Sequence, residues 1–184
     1  MAEDRRPELL EEYRSLREEM LNRAKRADDV LVYSIIGTAA LLGYGFTLKV
    51  SYIFLLPFSI IIPLSDYIRR THDQILFMAA YILVVIEQQT NLRWETVLFN
   101  FRKQEALRGR FTPNMLEYIL IYDFLSLVCI GASFFSEPAS IGLVLVVSLM
   151  LLYLIWWNYK MWGCYSFRRQ KEYETKIRQV LAKM

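Results

Sequence analysis

Three long apolar runs constrain the fold of this chain more than any other feature. Val30 to Leu48 holds 19 residues without a charge, and Ile141 to Trp157 holds 17. Tyr118 to Phe135 holds 18 residues with one charge, Asp123. A helix rises about 1.5 Å per residue, so about 20 residues cross a hydrocarbon layer of about 30 Å. Each run therefore predicts a transmembrane helix, and a soluble protein with buried helices is the weaker alternative.

A fourth span, Ser51 to Ile68, is less regular. It contains Pro57 and Pro63, each of which removes a helical hydrogen bond, so we expect a kinked crossing. The links at Lys49 and at 136–140 are short, which predicts two membrane hairpins. At the end of this span, the sequence predicts an interfacial ion pair of Asp66 with Arg69 and Arg70.

The topology depends on a shorter apolar run, Ile75 to Ile86. Twelve residues of helix reach about 18 Å, and runs of this length are usually buried or interfacial. If this run does not cross the membrane, the segments before, between and after the two hairpins each carry seven Lys and Arg, which leaves only Lys49 on the other side. The positive-inside rule therefore favours four crossings, with the run on the cytoplasmic side as a helix that continues from the second span.

The predicted fold is an all-α integral membrane protein of the cell (inner) membrane, with both termini in the cytoplasm. It has four transmembrane helices in two hairpins, joined by amphipathic cytoplasmic helices. In chain order we expect an N-terminal helix, a hairpin, a cytoplasmic helical segment, a second hairpin and a basic tail, over residues 1–29, 30–68, 69–112, 113–160 and 161–184.

Two cytoplasmic segments carry apolar stripes at helical spacing. The stripe of the first segment consists of Leu9, Tyr13, Leu16 and Met20. The stripe of the second segment consists of Trp94, Val97, Leu98 and Phe101. We expect the first helix to seek a partner or the membrane surface, and the second to present a face to a protein partner.

Asp123 is the most informative polar residue, because it lies about 8 Å inside the third apolar run. Carboxylates at such depths usually face a bundle interior or a water-filled path. By depth, Tyr33 or Ser34 of the first span and Tyr153 of the fourth are its candidate partners. Two interpretations stay open: a pore-lining or proton-sensing carboxylate, and a protonated Asp that hydrogen-bonds between helices.

Small and aromatic residues carry two further predictions. Ala39 and Gly43 form a small-xxx-small pair in the first span, which indicates close helix packing within one chain or between chains. An aromatic belt at the cytoplasmic interface is predicted from Trp156, Trp157, Tyr159 and Trp162.

The sequence gives little support for catalysis. One histidine, His72, and two separated cysteines, Cys129 and Cys164, cannot make a closed zinc site. The chain has no Gly-rich phosphate loop, no G-x-S-x-G and no H-E-x-x-H. We therefore predict no catalytic residue, no metal, no cofactor and no nucleic-acid partner, and we expect a protein that is not an enzyme.

Several short motifs carry a resemblance. At "EEYRSLREEM", "YIFLLPF", "YILVVIE" and "NLRWETVLFNFR", the chain resembles small bacterial membrane proteins with a Tyr-Ile…Glu pattern and a Leu-x-Trp-Glu stretch. Its first half, about residues 8 to 105, is similar to the SLATT-type membrane modules of nucleotide-signalling defence systems. The residues that match these patterns are Tyr81, Ile82, Glu87, Leu92, Trp94 and Glu95.

The resemblance implies a pore-forming effector, although this chain adds a second hairpin and has no recognisable sensor domain. One hypothesis is therefore a homo-oligomeric regulated pore or membrane effector, with Asp123 or the third span towards the axis of a closed ring. The alternative is a membrane scaffold or accessory subunit that docks a cytoplasmic or membrane partner. The expected partners are the lipid bilayer, further copies of the chain and a protein on the cytoplasmic face.

Overall fold

The structure, a computed structural model, describes residues 6–48, 50–90, 92–107, 113–136, 141–164 and 167–183. All regular elements in these ranges are helical, which confirms the all-α prediction. The helices are α1 (Arg6–Leu48), a 3₁₀ helix (Ser51–Leu55), α2 (Phe58–Tyr81), a π-helical segment (Ile82–Ile86), α3 (Glu87–Thr90), α4 (Trp94–Leu107), α5 (Pro113–Ser136), α6 (Ile141–Cys164) and α7 (Phe167–Leu181).

Among the described residues, four helical stretches are long and apolar enough to cross a membrane. They lie within Arg6–Leu48, Ser51–Thr90, Glu117–Phe134 and Ile141–Met161. Three predicted spans fall within these stretches, and the third, Tyr118 to Phe135, extends one residue beyond its stretch. Pro63 lies inside α2 without ending it. Of the two predicted hairpin links, Lys49 and residues 137–140 lie outside the described residues.

The chain divides into two compact units. Unit 1 consists of residues 1–26, 70–112 and 163–184, and unit 2 consists of residues 27–69 and 113–162. The helices α1 and α2 each contribute residues to both units.

The core of unit 1 forms around the short apolar run, Ile75 to Ile86. On one side, Ile82 and Ile86 are fully buried against Met20, Leu16 and Tyr13 of α1. The apolar stripe of the first helix therefore packs within the chain, contrary to the expectation that it seeks a partner or the membrane surface.

The other side of the run packs against α7. Val84 and Ala80 are buried against Ile177 of that helix. The last five residues of the run, Ile82–Ile86, form the π-helical segment. The run is therefore a packed part of the unit 1 core.

Unit 2 buries small and polar residues of α1 and exposes its apolar ones. Ala27, Ser34, Thr38 and Gly45 are buried at intervals of seven, four and seven residues, which places them on one helix face. The large apolar residues of the other faces are exposed, and they include Val32, Ile36, Tyr44 and Phe46.

Two glycines let α1 approach its neighbours in unit 2 closely. A Cβ on Gly45 would lie 2.9 Å from Cε1 of Phe54, and a Cβ on Gly37 would lie 3.1 Å from Cδ1 of Ile60. The predicted small-residue pair, Ala39 and Gly43, is exposed, and a Cβ on Gly43 would meet nothing within 4 Å. Within one chain, α1 therefore packs through Gly37 and Gly45.

Candidate functional site

Unit 2 contains a buried set of hydroxyl groups between α1 and α5, which we call the hydroxyl layer. Its members are Ser34, Thr38, Tyr122 and Ser126, and each is fully buried. Ser34 Oγ lies 2.9 Å from Tyr122 Oη and donates to the Val30 carbonyl at 2.8 Å. Because a serine hydroxyl has one proton, Tyr122 is then the donor to Ser34.

The pairing of side chains shows that α1 and α5 run in the same direction. Tyr118 donates to Asp28, and one turn further along α5, Tyr122 pairs with Ser34. Thr38 and Ser126 each lie four residues beyond the Ser34–Tyr122 pair, so they occupy the next turn of both helices. The hydroxyl layer therefore extends over two turns.

The second turn of this layer has unused hydrogen-bonding capacity. Among the described residues, Thr38 Oγ1 and Ser126 Oγ have no hydrogen-bond partner, although both side chains are fully buried. The indole Nε1 of Trp157 is also buried without a partner there, and its ring packs edge-on against Tyr122 with centroids 5.6 Å apart. Buried polar groups are almost always hydrogen-bonded, so this site is suited to a small hydrogen-bonding ligand.

Asp123 does not meet the side chains that depth alone suggested. Both of its carboxylate oxygens lie 3.0 Å from Nδ2 of Asn158 on α6. Ser34 pairs with Tyr122 instead, Tyr153 Oη lies 3.4 Å from the Ile62 carbonyl oxygen, and Tyr33 is exposed. Asp123 is half-buried, so its position suits a contact between helices better than a place in the hydroxyl layer.

The predicted ion pair at the end of the second span contains Asp66 and Arg69. Asp66 Oδ1 accepts hydrogen bonds from Arg69 Nε at 2.9 Å and from Arg69 Nη2 at 2.8 Å. Arg70 is exposed. Both partners of the pair are partly accessible, so we assign it a modest contribution to stability.

Unit 1 contains a second polar site, the glutamate network of Arg17, Glu87, Glu95 and Thr96. Glu87 caps the start of α4: Oε1 accepts from the Glu95 amide at 2.5 Å, and Oε2 accepts from the Thr96 amide at 3.0 Å and from the Thr96 hydroxyl at 2.6 Å. An acidic group here satisfies free amides and complements the helix dipole. Glu87 thereby ties the first turn of α4 to the residue that follows the π-helical segment.

Arg17 connects this network to α1. Its Nη1 donates to Glu95 Oε1 at 3.0 Å, and Glu95 is fully buried. The Arg17 guanidinium also lies over the Trp94 ring, 5.8 Å from the centroid. Close by, Tyr81 donates to Glu12 at 2.8 Å. Of the residues that carry the resemblance, Tyr81, Glu87, Trp94 and Glu95 thus hold unit 1 together, so their common role here is structural.

The predicted cytoplasmic partner face is only partly presented to solvent. Trp94 and Val97 are 52% and 59% exposed, whereas Leu98 is half-buried. Phe101 lies within α4, but its side chain lies outside the described part of the chain. The exposed part of this face is therefore the first turn of α4.

The tail helix α7 is anchored to α2 through Asp73. Tyr173 Oη donates to Asp73 at 2.7 Å, and Arg169 Nε donates to it at 3.3 Å. Burial and the hydrogen bond to Asp73 raise the pKa of Tyr173. Burial lowers the pKa of Arg169, but the hydrogen bond and charge of Asp73 outweigh this effect and raise it overall. Arg169 therefore stays charged at any physiological pH.

Sequence reasoning missed Thr38, Tyr122, Ser126, Trp157 and Asn158. For Tyr122 and Ser126, the two members of the hydroxyl layer on α5, the sequence did contain a signal. Tyr122, Ser126 and Ser133 recur at helical spacing within a run that is otherwise mostly apolar. Trp157 was assigned to the aromatic belt, yet it is fully buried, whereas Trp156 and Tyr159 are exposed. Nothing in the local sequence distinguishes these three aromatic residues.

No metal site or relative gives a direct indication of activity. Within the described ranges, no group of three His, Cys, Asp or Glu side chains could hold a metal ion. Scans against protein-family models and searches of curated proteins and solved structures find no match to this chain.

Proposed function

We propose that the chain is a four-span protein of the cytoplasmic membrane, with both termini in the cytoplasm, and that it acts as a non-enzymatic regulated pore or membrane effector. In this proposal unit 2 lies in the bilayer and unit 1 lies in the cytoplasm. The conducting path runs between α1 and α5, through the hydroxyl layer. We also propose that copies of the chain associate in the membrane.

The observation that carries this proposal is the inverted polarity of unit 2. Its fully buried side chains include four hydroxyl groups that line one helix pair. Its exposed side chains include Phe124, Leu127, Leu149, Leu152 and Ile155, each at least 58% accessible. A soluble protein rarely exposes apolar surface on this scale, whereas a helical unit in lipid requires it.

The same distribution favours a narrow path within one chain over a wide lumen between chains. The exposed residues of α5 are Leu120, Phe124, Leu127, Val128 and Phe134 in its described middle and C-terminal part, and none of them is polar. The exposed hydroxyl of Ser148 on α6 donates to the carbonyl of its own helix at Val144, 2.8 Å away. A wide aqueous lumen would need polar side chains on such outward faces.

The exposed small residues of α1 support association between copies. Ala39 and Gly43 are exposed on α1, and the space beside Gly43 is open. Small residues let membrane helices approach closely. Gly37 and Gly45 make the close contacts of α1 within the chain, so Ala39 and Gly43 are available for a contact with another copy. We expect symmetric particles larger than one chain by light scattering in detergent; a strictly monomeric particle would contradict self-association.

Ion flux from liposomes tests the conducting role. We expect the reconstituted chain to carry an ion across the liposome membrane, and we expect Ser126→Leu to abolish this flux because the added bulk fills the hydroxyl layer. Ser148→Leu is the matched control, since it makes the same change on an exposed face. Absence of any ion flux from wild-type liposomes would refute the pore.

Cysteine accessibility tests the topology independently. In a chain without Cys129 and Cys164, a cysteine at position 49 should react with an impermeant reagent added to intact cells. Cysteines at Gln104 and Lys183 should react only after the cells are permeabilised. Labelling of position 104 in intact cells would place the central segment on the outer side and contradict the proposed arrangement.

The second candidate function is a scaffold or accessory subunit, which the exposed first turn of α4 favours. Trp94 and Val97 present apolar surface on a helix that the glutamate network holds rigidly in unit 1. A photocrosslinker at Val97 should then capture one defined protein in cells, whereas the same group at the exposed Lys103, on the opposite face of α4 from Trp94, should not. Equal capture from both positions would argue against a specific docking face.

A further inference from the structure

We propose that the hydroxyl layer of unit 2 binds a short chain of water molecules and relays protons, so that the ion carried by the proposed pore is the proton. This inference rests on the proposed function and names its cargo. Its basis is the buried Ser34–Tyr122 hydrogen bond and, one turn further along each of the two parallel helices, the buried hydroxyls of Thr38 and Ser126, which have no partner within the described chain.

The spacing of these groups matches the size of a bridging water. Residues four apart on a helix are separated by about 6 Å along its axis. A water that hydrogen-bonds to one group on each side spans roughly 5.6 Å, twice the usual O–H···O distance of about 2.8 Å. One water can therefore join Ser34 to Thr38, whose hydroxyl lacks a partner among the described residues, as does that of Ser126.

Polar groups lie beyond the layer in both directions. On one side, Tyr118 is hydrogen-bonded to Asp28, an exposed carboxylate six residues before Ser34. On the other side, 13 residues beyond Thr38, Ser51 lies on the 3₁₀ helix that packs against α5, and its hydroxyl is buried without a partner in the described chain. An exposed carboxylate at one end suits proton collection from water.

The proton transfer itself needs no other reactant. Each hydroxyl or water accepts one proton on a lone pair and releases its own proton to the next oxygen, so every O–H bond that forms is matched by one that breaks. The donor and acceptor capacity of a hydroxyl allows this, since it carries one proton and two lone pairs. The groups then reorient before the next proton passes.

The same chemistry disfavours metal ions and anions as cargo. Within the layer there is no charged side chain to replace the hydration energy of a cation or an anion, and Asp123 is occupied by Asn158. The backbone carbonyls of α1 and α5 are engaged in regular helices, so they do not form the ring of ligands on which a potassium-type filter depends. A proton is exempt from this requirement because it moves as part of covalent O–H bonds.

Liposomes that contain the full-length chain and an internal pH-sensitive dye test the relay. After an external pH step, with valinomycin and potassium present to balance charge, we expect rapid proton entry into wild-type vesicles. The double variant Thr38→Val with Ser126→Ala should slow entry at least tenfold, since it removes both hydroxyls and hardly changes side-chain volume. Ser148→Ala, an exposed serine bonded to its own helix, should stay within twofold of wild type.

Potassium and chloride release, measured without valinomycin, completes the test. Proton entry without comparable potassium or chloride release, and loss of that entry in the double variant, would establish the relay. Potassium or chloride flux as fast as proton flux would overturn the relay and leave the pore standing, as would full proton flux in the double variant. Absence of every flux in wild-type vesicles would instead overturn the proposed pore itself, and the relay with it.

Labelling by radiolysis of bound water gives a readout that does not depend on transport. X-ray pulses generate hydroxyl radicals from ordered water, and these radicals oxidise adjacent aromatic side chains. We expect oxidation of the buried Tyr122 and Trp157 in wild type and a several-fold loss of it in the double variant. Absence of oxidation at both residues in wild type would overturn the water chain.

Discussion

The two units of this chain bury opposite kinds of polar group. Unit 1 buries charges: Glu95 is fully inaccessible beside Arg17, and Glu87 caps α4. Unit 2 buries neutral hydroxyls, and its surface is apolar. A charge can be buried where its partner still reaches water, as the partly exposed Arg17 does. In the hydrocarbon layer in which we propose unit 2 lies, no such route exists, so a neutral hydroxyl is the cheaper polar group.

The buried polar groups of the two units suit different roles. The glutamate network of unit 1 satisfies the amides that begin α4 and joins α4 to α1, so it holds helices in place. The hydroxyl layer of unit 2 leaves capacity unused, which is a property of binding sites more than of structural contacts. We therefore place the chemistry in unit 2 and the rigid framework in unit 1.

The largest expected effect tests the buried charge of unit 1. Arg17→Met removes a cation that pairs with the buried Glu95, and the loss of one partner of a buried pair costs about 3 kcal/mol. Amide hydrogen exchange in α4 should then accelerate by about 100-fold, which corresponds to that energy. Arg14→Met is the control, because its pair with Glu11 is exposed, and exchange should not change. Unchanged exchange in Arg17→Met would remove the distinction between the units.

Two glycines of α1 test how this helix packs in unit 2. Gly45→Ala forces a Cβ to within 2.9 Å of the buried Phe54 ring, and such overpacking should destabilise unit 2 by about 2 kcal/mol. Gly43→Ala meets nothing and should be neutral or stabilising by up to about 1 kcal/mol through helix propensity. Thermal unfolding in detergent measures both. Equal changes in melting temperature for Gly45→Ala and Gly43→Ala would show that α1 does not pack through Gly45.

The hydroxyl pair of unit 2 should contribute less than the charges of unit 1. Tyr122→Phe removes the hydrogen bond to Ser34, and such bonds between membrane helices contribute about 1 kcal/mol. Tyr33→Phe is the control, because Tyr33 is exposed and should show no change. Denaturation in mixed micelles gives the comparison. A loss well above about 3 kcal/mol would mean that the layer is mainly structural.

The smallest effect is an alkaline pH dependence in unit 1. Burial and Asp73 raise the pKa of Tyr173 in the folded chain, so the unfolded chain releases this proton first, near pH 10. The contribution of Tyr173 is therefore complete below about pH 10 and is lost as pH rises towards the folded pKa. Tyr173→Phe should flatten the decline in stability above pH 10, whereas the exposed Tyr159→Phe should not. If the stability of wild type and of Tyr173→Phe declined equally above pH 10, the raised pKa of Tyr173 would be contradicted.

Asp123 shows why the candidate site was only partly predictable. Its depth followed from counting residues along a helix, but its partner did not, because depth does not specify which face of a helix meets which neighbour. Asn158 belongs to another helix, 35 positions away, and no spacing rule connects the two residues. By contrast, Asp66 and Arg69 are three residues apart on one helix, so their pairing could be predicted from the sequence.

The glutamate network shows the same limit. The sequence identified Glu87 and Glu95 through a resemblance, without a physical role for them. Their role depends on tertiary contacts, in which Glu87 accepts hydrogen bonds from the amides of Glu95 and Thr96. The contact of Glu95 with Arg17 crosses 78 positions of the chain and has no local signature.

By itself the sequence determined the helical class and the four stretches able to cross a membrane, because length, hydropathy and proline positions act along one helix at a time. The tertiary structure alone decided that the short apolar run is covered on both sides. It also decided that the first helix packs internally, and that hydroxyls of α1 and α5 meet away from Asp123. Those outcomes depend on how helices are rotated and aligned against one another, and this alignment is set by the packing of many distant side chains together.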